Sequence, residues 1–399
     1  MRRISVLAAI GLVALSASVS RAQGTFPLKS EDFSKQEGLL ANIAMQGVPL
    51  DQVQLAQVKT LPKEIPADAR FGVLKIRGRD VLLTLVGDAL YVDTDGDGDF
   101  SDEKVLKPAP APAGETGALG LQRTQYGVVV VAGATPGSEA RFTVSALAGR
   151  YLLVAPVSCL AGQVRLAGKD YRVAMVDKDL DGKFDSRLSM PFGNPPGPDI
   201  LAIDLDGDGK FAEDFFAGEV AYLAKMTRVG GACYSVSVAP DGSSVTMEKV
   251  EPKSGTLDAG TPEANLVFFS DCGLMHVSGE KGSWQLPEGR YHPIRVRLTR
   301  KDKDGIERTL TGYGDMGTFK EFEIAPGKTL SLKIGGPLTV KTTVNTYKGQ
   351  ASVSLVLQGQ GGETYGPLVG GGKTEPEKPK LRILSEAGKE LAAGQFEYG

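Results

Sequence analysis

The chain has 399 residues, 41% hydrophobic and 23% charged, a usage that excludes a disordered polymer and allows two or three domains with cores of their own. Lys and Arg number 45 against 48 Asp and Glu, so no overall field draws the chain to nucleic acid or to an anionic membrane. Aromatic residues make up 7% and Trp284 is the one tryptophan, which argues against a large sugar-stacking cleft.

The first element in chain order is a leader. Arg2 and Arg3 precede an apolar run from Ile4 to Val19, followed by small residues at Ser20 and Ala22, the pattern of a secretory signal peptide cut after Ala22. The run is short for a bilayer span and no second long apolar stretch follows, so the mature chain is expected to lack a transmembrane segment. It is expected to be secreted, periplasmic or held at the cell surface. No cysteine stands at the cleavage point to carry a lipid, and the paired arginines lack a fuller twin-arginine context.

Within residues 29–58, LLANIAMQGVPLDQVQLAQV is the best candidate for a short helix. From Phe71 the apolar period becomes two, in FGVLKIRG, DVLLTLVG, DALYVD, YGVVVVAG, ARFTVSAL, YLLVAPV, QVRLAG and DYRVAMVD. Short β-branched runs punctuated by Gly, Asp and Pro predict antiparallel strands and hairpins, with KPAPAPAGETG (107–117) as a surface loop. YSVSVAPDGSSVTMEKV reads as strand, turn at Pro240-Asp241-Gly242, strand, and similar runs continue to ASVSLVLQG. GQGGETYGPLVGGGKTEPEKPK (359–380) reads as a linker before a last element, LRILSEAGKELAAGQFEYG.

The expected class is mainly β. A signal peptide over 1–22 precedes an antiparallel β domain over 23–255, a β-sandwich over 256–340 and a C-terminal β module over 341–399. Cys159, Cys233 and Cys272 match no zinc spacing; one disulfide with a leftover thiol and three free thiols both remain open. His276 and His292 sit in strand-like contexts and are read as structural.

Three stretches carry the chemistry: YVDTDGDGDFSDEK, VAMVDKDLDGKFDSR and ILAIDLDGDGKFAED. Aligned on their first aspartate, all read apolar-Asp-x-Asp-x-Asp-Gly-x-Phe. The matching positions are Asp93, Asp95, Asp97, Gly98 and Phe100; Asp177, Asp179, Asp181, Gly182 and Phe184; and Asp204, Asp206, Asp208, Gly209 and Phe211. Calcium takes six to eight oxygens at about 2.3–2.6 Å, and a tight loop offers them from positions 1, 3 and 5, with glycine at 6 for the sharp turn. The position-7 carbonyl adds another oxygen, here from Asp99, Lys183 or Lys210, and Phe at position 8 is the apolar plug.

Two carboxylates about 5 Å apart repel by roughly 1–3 kcal/mol, so the same acid spacing used three times calls for a cation. A fourth echo, RKDKDGIER, lacks the first acid and reads as a plain hairpin turn. The second and third loops begin 27 residues apart, each directly after an apolar run, and are expected at the same end of one sheet.

These loops resemble EF-hand-type calcium loops, with departures. Position 12, normally a bidentate Glu, holds Lys104, Leu188 and Phe215. Glu103 and Asp214 lie one residue earlier in the first and third loops, and Asp185 at position 9 is a partial substitute in the second. Because a strand precedes each loop, the nearer likeness is to helix-free DxDxDG loops of extracellular bacterial proteins. The missing closing ligand predicts a dissociation constant of about 10⁻⁴–10⁻³ M.

Two further resemblances concern the scaffold. Leu286-Pro287-Glu288-Gly289-Arg290-Tyr291 and the turn Ala325-Pro326-Gly327-Lys328 resemble the prealbumin-like, Ig-like sandwiches found beside secreted enzymes, which implies scaffolding or binding and carries over no catalytic residue. The larger layout, with Tyr91-Val92-Asp93, paired loops at Asp177 and Asp204 and the Tyr234–Gly242 hairpin, resembles bacterial secreted proteins without an assigned activity.

No Gly-x-Ser-x-Gly elbow, HExxH or phosphate-cradling loop occurs in its proper context. The reading is a calcium-stabilised secreted β protein that binds extracellular polysaccharide or protein or serves in surface structure. The alternative is a hydrolase of polysaccharide or peptide with structural calcium.

Overall fold

Apolar residues at every second position can be buried only if the chain is extended, and most of this chain is. The computed structural model describes residues 23–33, 46–51, 56–109, 123–133, 139–147, 151–188, 197–212, 215–301, 303–313, 318–347, 350–366, 369–370 and 378–396. The leader, most of the Pro/Ala connector and Asp214 lie outside them. Among the described residues regular structure is β, apart from single 3-10 turns at Phe215–Ala217 and Glu280–Gly282. The mainly β, antiparallel class expected above is what the chain adopts.

Strands β1 (Gln23–Pro27) and β2 (Lys29–Asp32) open the chain and join sheets formed much later. The first pair of layers uses β3 (Gln46–Pro49), β4 (Phe71–Ile76), β5 (Arg79–Val86), β6 (Ala89–Val92), β7 (Arg123–Val131), β8 (Ala140–Leu147) and β9 (Tyr151–Pro156). A β3-β9-β8-β7 sheet and a β4-β5-β6 sheet enclose Leu74, Ile76, Leu83, Val92, Phe142, Val144, Leu152 and Val154. The continuous run Val81-Leu82-Leu83 is explained by burial on both faces: Leu82 points the other way, toward Phe71, Tyr91 and Phe100.

The second pair of layers uses β10 (Ser158–Leu166), β11 (Lys169–Val176), β12 (Ile200–Ile203), β13 (Val220–Tyr222), β14 (Met226–Val229), β15 (Ala232–Val238) and β16 (Ser244–Val250). The orders are β13-β12-β11-β10-β2 and β1-β16-β15-β14. Val173, Met175, Leu201, Tyr234, Val236 and Met247 fill the space between them. Ala174, Val176, Ile200 and Ala202 face a separate cluster with Phe33 and Phe211, so the central strands again have no solvated face.

The third part runs through β17 (Ser254–Asp258), β18 (Ala264–Ser270), β19 (Gly273–Ser278), β20 (Ser283–Pro287), β21 (Gly289–Lys301), β22 (Glu307–Tyr313), β23 (Phe322–Ile324), β24 (Thr329–Ser331), β25 (Thr339–Tyr347), β26 (Gln350–Gln358), β27 (Thr364–Tyr365) and β28 (Val369–Gly370). A β20-β17-β24 sheet faces a nine-stranded sheet whose main path is β19-β18-β21-β22-β27-β26-β25. Phe268 meets Tyr291 and Phe322 edge-on at 6.0 and 5.2 Å, and the buried Tyr291 hydroxyl donates to the Pro287 carbonyl at 2.7 Å. Leu188, Phe216, Ala224, Val267 and Phe269 seal this part to the preceding one. A last hairpin, β29 (Lys380–Leu384) with β30 (Glu390–Gln395), follows.

Three expectations change. Of the candidate helix, residues 39–45 and 52–55 lie outside the described residues, and Gln46–Pro49 form β3, because Val48 is buried in the first core and the strand pairs with β9 about a hundred residues away. Gly47 allows this pairing, since a Cβ there would stand 2.1 Å from the Tyr151 hydroxyl. The 359–380 stretch is not a free linker over its first part: Gly359 to Gly366 form a turn and β27. There the buried Glu363 carboxylate accepts from Gly335 N–H at 2.6 Å and the Tyr365 hydroxyl at 2.7 Å. Finally, β11 and β12 are antiparallel, with Val176 opposite Ile200 and Val173 opposite Ile203, so the second and third acidic loops leave from opposite ends of the sheet.

The hairpin expected near Asp304 is present as the β21–β22 turn, with Asp302 outside the described residues. Both histidines have side-chain partners: His276 Nε2 lies 2.7 Å from Asn265 Oδ1, and His292 Nδ1 lies 3.1 Å from Glu321 Oε1.

Candidate metal centres

Each acidic loop leaves the end of a buried strand and is curled by its own first aspartate. Asp93 accepts the N–H groups of Gly96 (2.9 Å) and Gly98 (3.1 Å). Asp177 accepts those of Asp181 (3.1 Å) and Gly182 (2.8 Å), and Asp204 those of Gly207 (2.7 Å) and Gly209 (2.9 Å). The bond from the sixth position requires a left-handed turn, and Gly98, Gly182 and Gly209 have φ of 81, 83 and 84°. Phe100, Phe184 and Phe211, two residues on, are buried in three different clusters, as the plug position requires.

The curl gathers the acids. Asp93, Asp95 and Asp97 form one group whose oxygens lie within 4.8 Å of one another; Asp177, Asp179 and Asp181 form a second; Asp204, Asp206 and Glu219 form a third. Asp208 caps Lys210 N–H at 2.7 Å, the bond that Asp97 makes to Asp99 and Asp181 to Lys183. Asp99 turns to the Ser101 N–H and hydroxyl (2.8 and 2.6 Å), which hold its carboxyl below the ordinary value. Asp185, Lys183 and Lys210 are exposed.

The register of the returning chain brings a further acid beside the loop aspartates, and in the third loop that acid, Glu219, is a member of the group. The N–H after the first aspartate donates to the returning acid every time: Thr94 to Glu103, Lys178 to Asp199 at 3.2 Å, and Leu205 to Glu219 at 2.9 Å. Glu103 precedes Leu106, which pairs back to Leu90; Asp199 precedes Ile200, which pairs with Val176; Glu219 precedes Val220, which pairs with Ala202. An antiparallel return brings whichever residue precedes it to the mouth of the loop, whatever the length of the connection. Asp199 and Glu219 stand 22 and 15 residues after their first aspartates, so a search at position 12 passes over them. The readable signal is an acid directly before the next apolar run, in Asp199-Ile200-Leu201 and Glu219-Val220-Ala221.

These carboxylates are held against their preference for water. Burial raises the pKa of Asp93 and of Glu103, with the charge of Asp95 adding to both. Asp177 is raised by burial and then by Asp179 and Asp181. Asp199, with no exposed surface, is pushed up to about 8 by burial and by the charges of Asp177 and Asp179.

The loops also bear on the scaffold. Gly98 lies under the chain at 57–60, accepting from Lys59 N–H at 2.9 Å, and a Cβ on it would sit 2.0 Å from the Gln57 carbonyl. Gly98→Ala is therefore expected to destabilise the fold by about 2–3 kcal/mol in urea melts, more than Gly207→Ala, whose Cβ would meet nothing within 4 Å. The second loop bridges two parts of the chain: Leu180 enters the first core and its carbonyl accepts from Arg77 N–H at 2.8 Å, although Leu180 lies on the β11–β12 connection.

No family model matches this chain, and no curated protein or solved structure is significantly similar to it. Fold and site together define a mainly β protein carrying three acidic groups able to hold a metal ion.

Proposed function

We propose that this is a secreted calcium-binding protein, stabilised by calcium in three EF-hand-like DxDxDG loops, whose sandwich layers serve in binding extracellular polysaccharide or protein or in surface structure. The observation that carries the reading is the group of three acids at every loop, their oxygens within 4.8 Å of one another, beside a carboxylate from the returning chain that accepts the N–H after the first aspartate. Each group offers carboxylate oxygens, the donor chemistry of a hard cation that tolerates many ligands. Secretion rests on the leader at 1–22.

The chain freed of metal by EDTA is expected to take up calcium with measurable heat and to melt higher in its presence. The gain is about 1.4 kcal/mol per site at roughly tenfold excess over the dissociation constant. Magnesium, which demands a smaller and more rigid octahedron, should raise the melting temperature less. Absence of both binding heat and a calcium-dependent melting shift would overturn the proposal.

A further inference from the structure

Cys233 lies in β15 directly opposite Arg228 of β14, and Ser235 opposite Met226. Residues opposite one another in an antiparallel pair share a face. The alternate residues Val229, Tyr234 and Val236 point into the core of the second pair of layers, so Met226, Arg228, Cys233 and Ser235 face away from it. That face looks at the third part of the chain, because Met226 packs against the cluster containing Cys272, Phe268 and Tyr291. Cys272 occupies the turn between β18 and β19, and the next residue, Gly273, approaches so closely that its Cβ would stand 2.8 Å from the Met226 carbonyl.

Cys159 belongs elsewhere, in the cluster with Phe33, Ala174 and Phe211 behind the five-stranded sheet. The Cys272 thiol also senses its neighbour: burial and then Cys233 raise it, and both cysteines act on the Tyr291 phenol.

From this placement we infer that Cys233 and Cys272 form an oxidative cross-linking site that joins the second part of the chain to the third, leaving Cys159 as the unpaired buried thiol. All three are reduced in the structure, so the bridge needs an oxidant, for which a small-molecule disulfide such as glutathione disulfide suffices. One cysteine loses its proton and its thiolate attacks a glutathione sulfur, releasing the other glutathione as a thiolate. The second cysteine's thiolate then displaces the remaining glutathione from the mixed disulfide. Two protein S–H bonds and one glutathione S–S bond are lost, one protein S–S bond forms, and the two glutathione thiolates take up the protons. Burial holds the Cys272 thiol up to about 11, which places this exchange during folding, while the chain is open. The inference does not depend on calcium.

The test is to refold the full chain in a reduced/oxidised glutathione mixture, alkylate free thiols under denaturing conditions, digest with trypsin without reduction and weigh the peptides. The cysteines fall in separate tryptic peptides, since Arg165, Lys249 and Lys253 lie between them. Expected is one linked pair, the Cys233 and Cys272 peptides, lighter than the sum of their reduced forms by two hydrogens, with only Cys159 alkylated. Three alkylated cysteines, or any link through Cys159, would overturn it.

Reductant should lower the melting temperature of the oxidised chain by roughly 5 °C, as expected for closing a loop of about 40 residues in a protein of this size. Cys159→Ser should keep that fall, and Cys233→Ser should lose it. Cys233 is only half buried, so its variant carries the test even if Cys272→Ser fails to fold.

Discussion

Replacing Glu219 by alanine is expected to cost about 3–5 kcal/mol of stability in EDTA and to remove one of three calcium equivalents. The side chain is 4% exposed, and its carboxylate accepts three backbone N–H groups: Leu205 at 2.9 Å, Asp206 at 3.2 Å and Ala212 at 2.7 Å. Removing the acceptor leaves donors that water only partly reaches, at about 1–3 kcal/mol each and less than additively. Glu219→Gln keeps the oxygen used by Leu205 and Asp206 but turns an amide N–H₂ toward Ala212. It should therefore lose only about 1–3 kcal/mol in EDTA while still losing the calcium equivalent. Urea melts with and without calcium, beside calorimetric stoichiometry, separate the two effects. If Glu219→Gln still binds three equivalents with unchanged heats, Glu219 is a structural cap and not a ligand.

The second large effect is a pH dependence that calcium should reverse. Asp199 is held up to about 8 in the folded chain against an ordinary value of 3.8. Between those limits the folded state keeps a proton that the unfolded state has lost, so the stability of the calcium-free chain falls as pH rises through the window. At about 1.4 kcal/mol per unit, the loss is on the order of 5 kcal/mol across it. The raised values of Asp93, Glu103 and Asp177 act in the same direction.

Melts in EDTA should therefore drop steadily from pH 5 to pH 8. Saturating calcium should flatten or invert the slope, because ligation needs the ionised forms, and calcium uptake at neutral pH should release protons. Asp199→Asn removes the largest contribution to the slope. It also loses one of the two N–H bonds from Lys178 and Ser186, leaving a net gain of about 2 kcal/mol at pH 8 in EDTA. A calcium-free melting temperature that stays level or rises between pH 5 and pH 8 would contradict this account.

The legible parts of the chain are those whose causes are local. Period-two burial marks the strands because side chains alternate across a pleat, and the doubly buried runs Val81–Leu83, Val173–Val176 and Ile200–Ile203 read as continuous apolar stretches. The acidic loops are legible for the same reason. First aspartate, left-handed glycine and buried phenylalanine lie within eight residues, and their bonds run between near neighbours. A search for the closing acid at a fixed spacing found Glu103, which lies ten residues along its loop, and missed Asp199 and Glu219.

By itself, then, the sequence determined the β class, the three loops and their inward phenylalanines, because each follows from a few consecutive residues. Tertiary structure alone decided that Gln46–Pro49 is a strand, that the second and third loops point apart, that Asp199 and Glu219 reach the mouths of those loops, and that Cys233 lies on the face turned to the third part of the chain. The physical reason is common to all four. Antiparallel register joins residues by which strand returns beside which, and that choice is made by burial summed over whole sheets, with no trace at any fixed spacing along the chain.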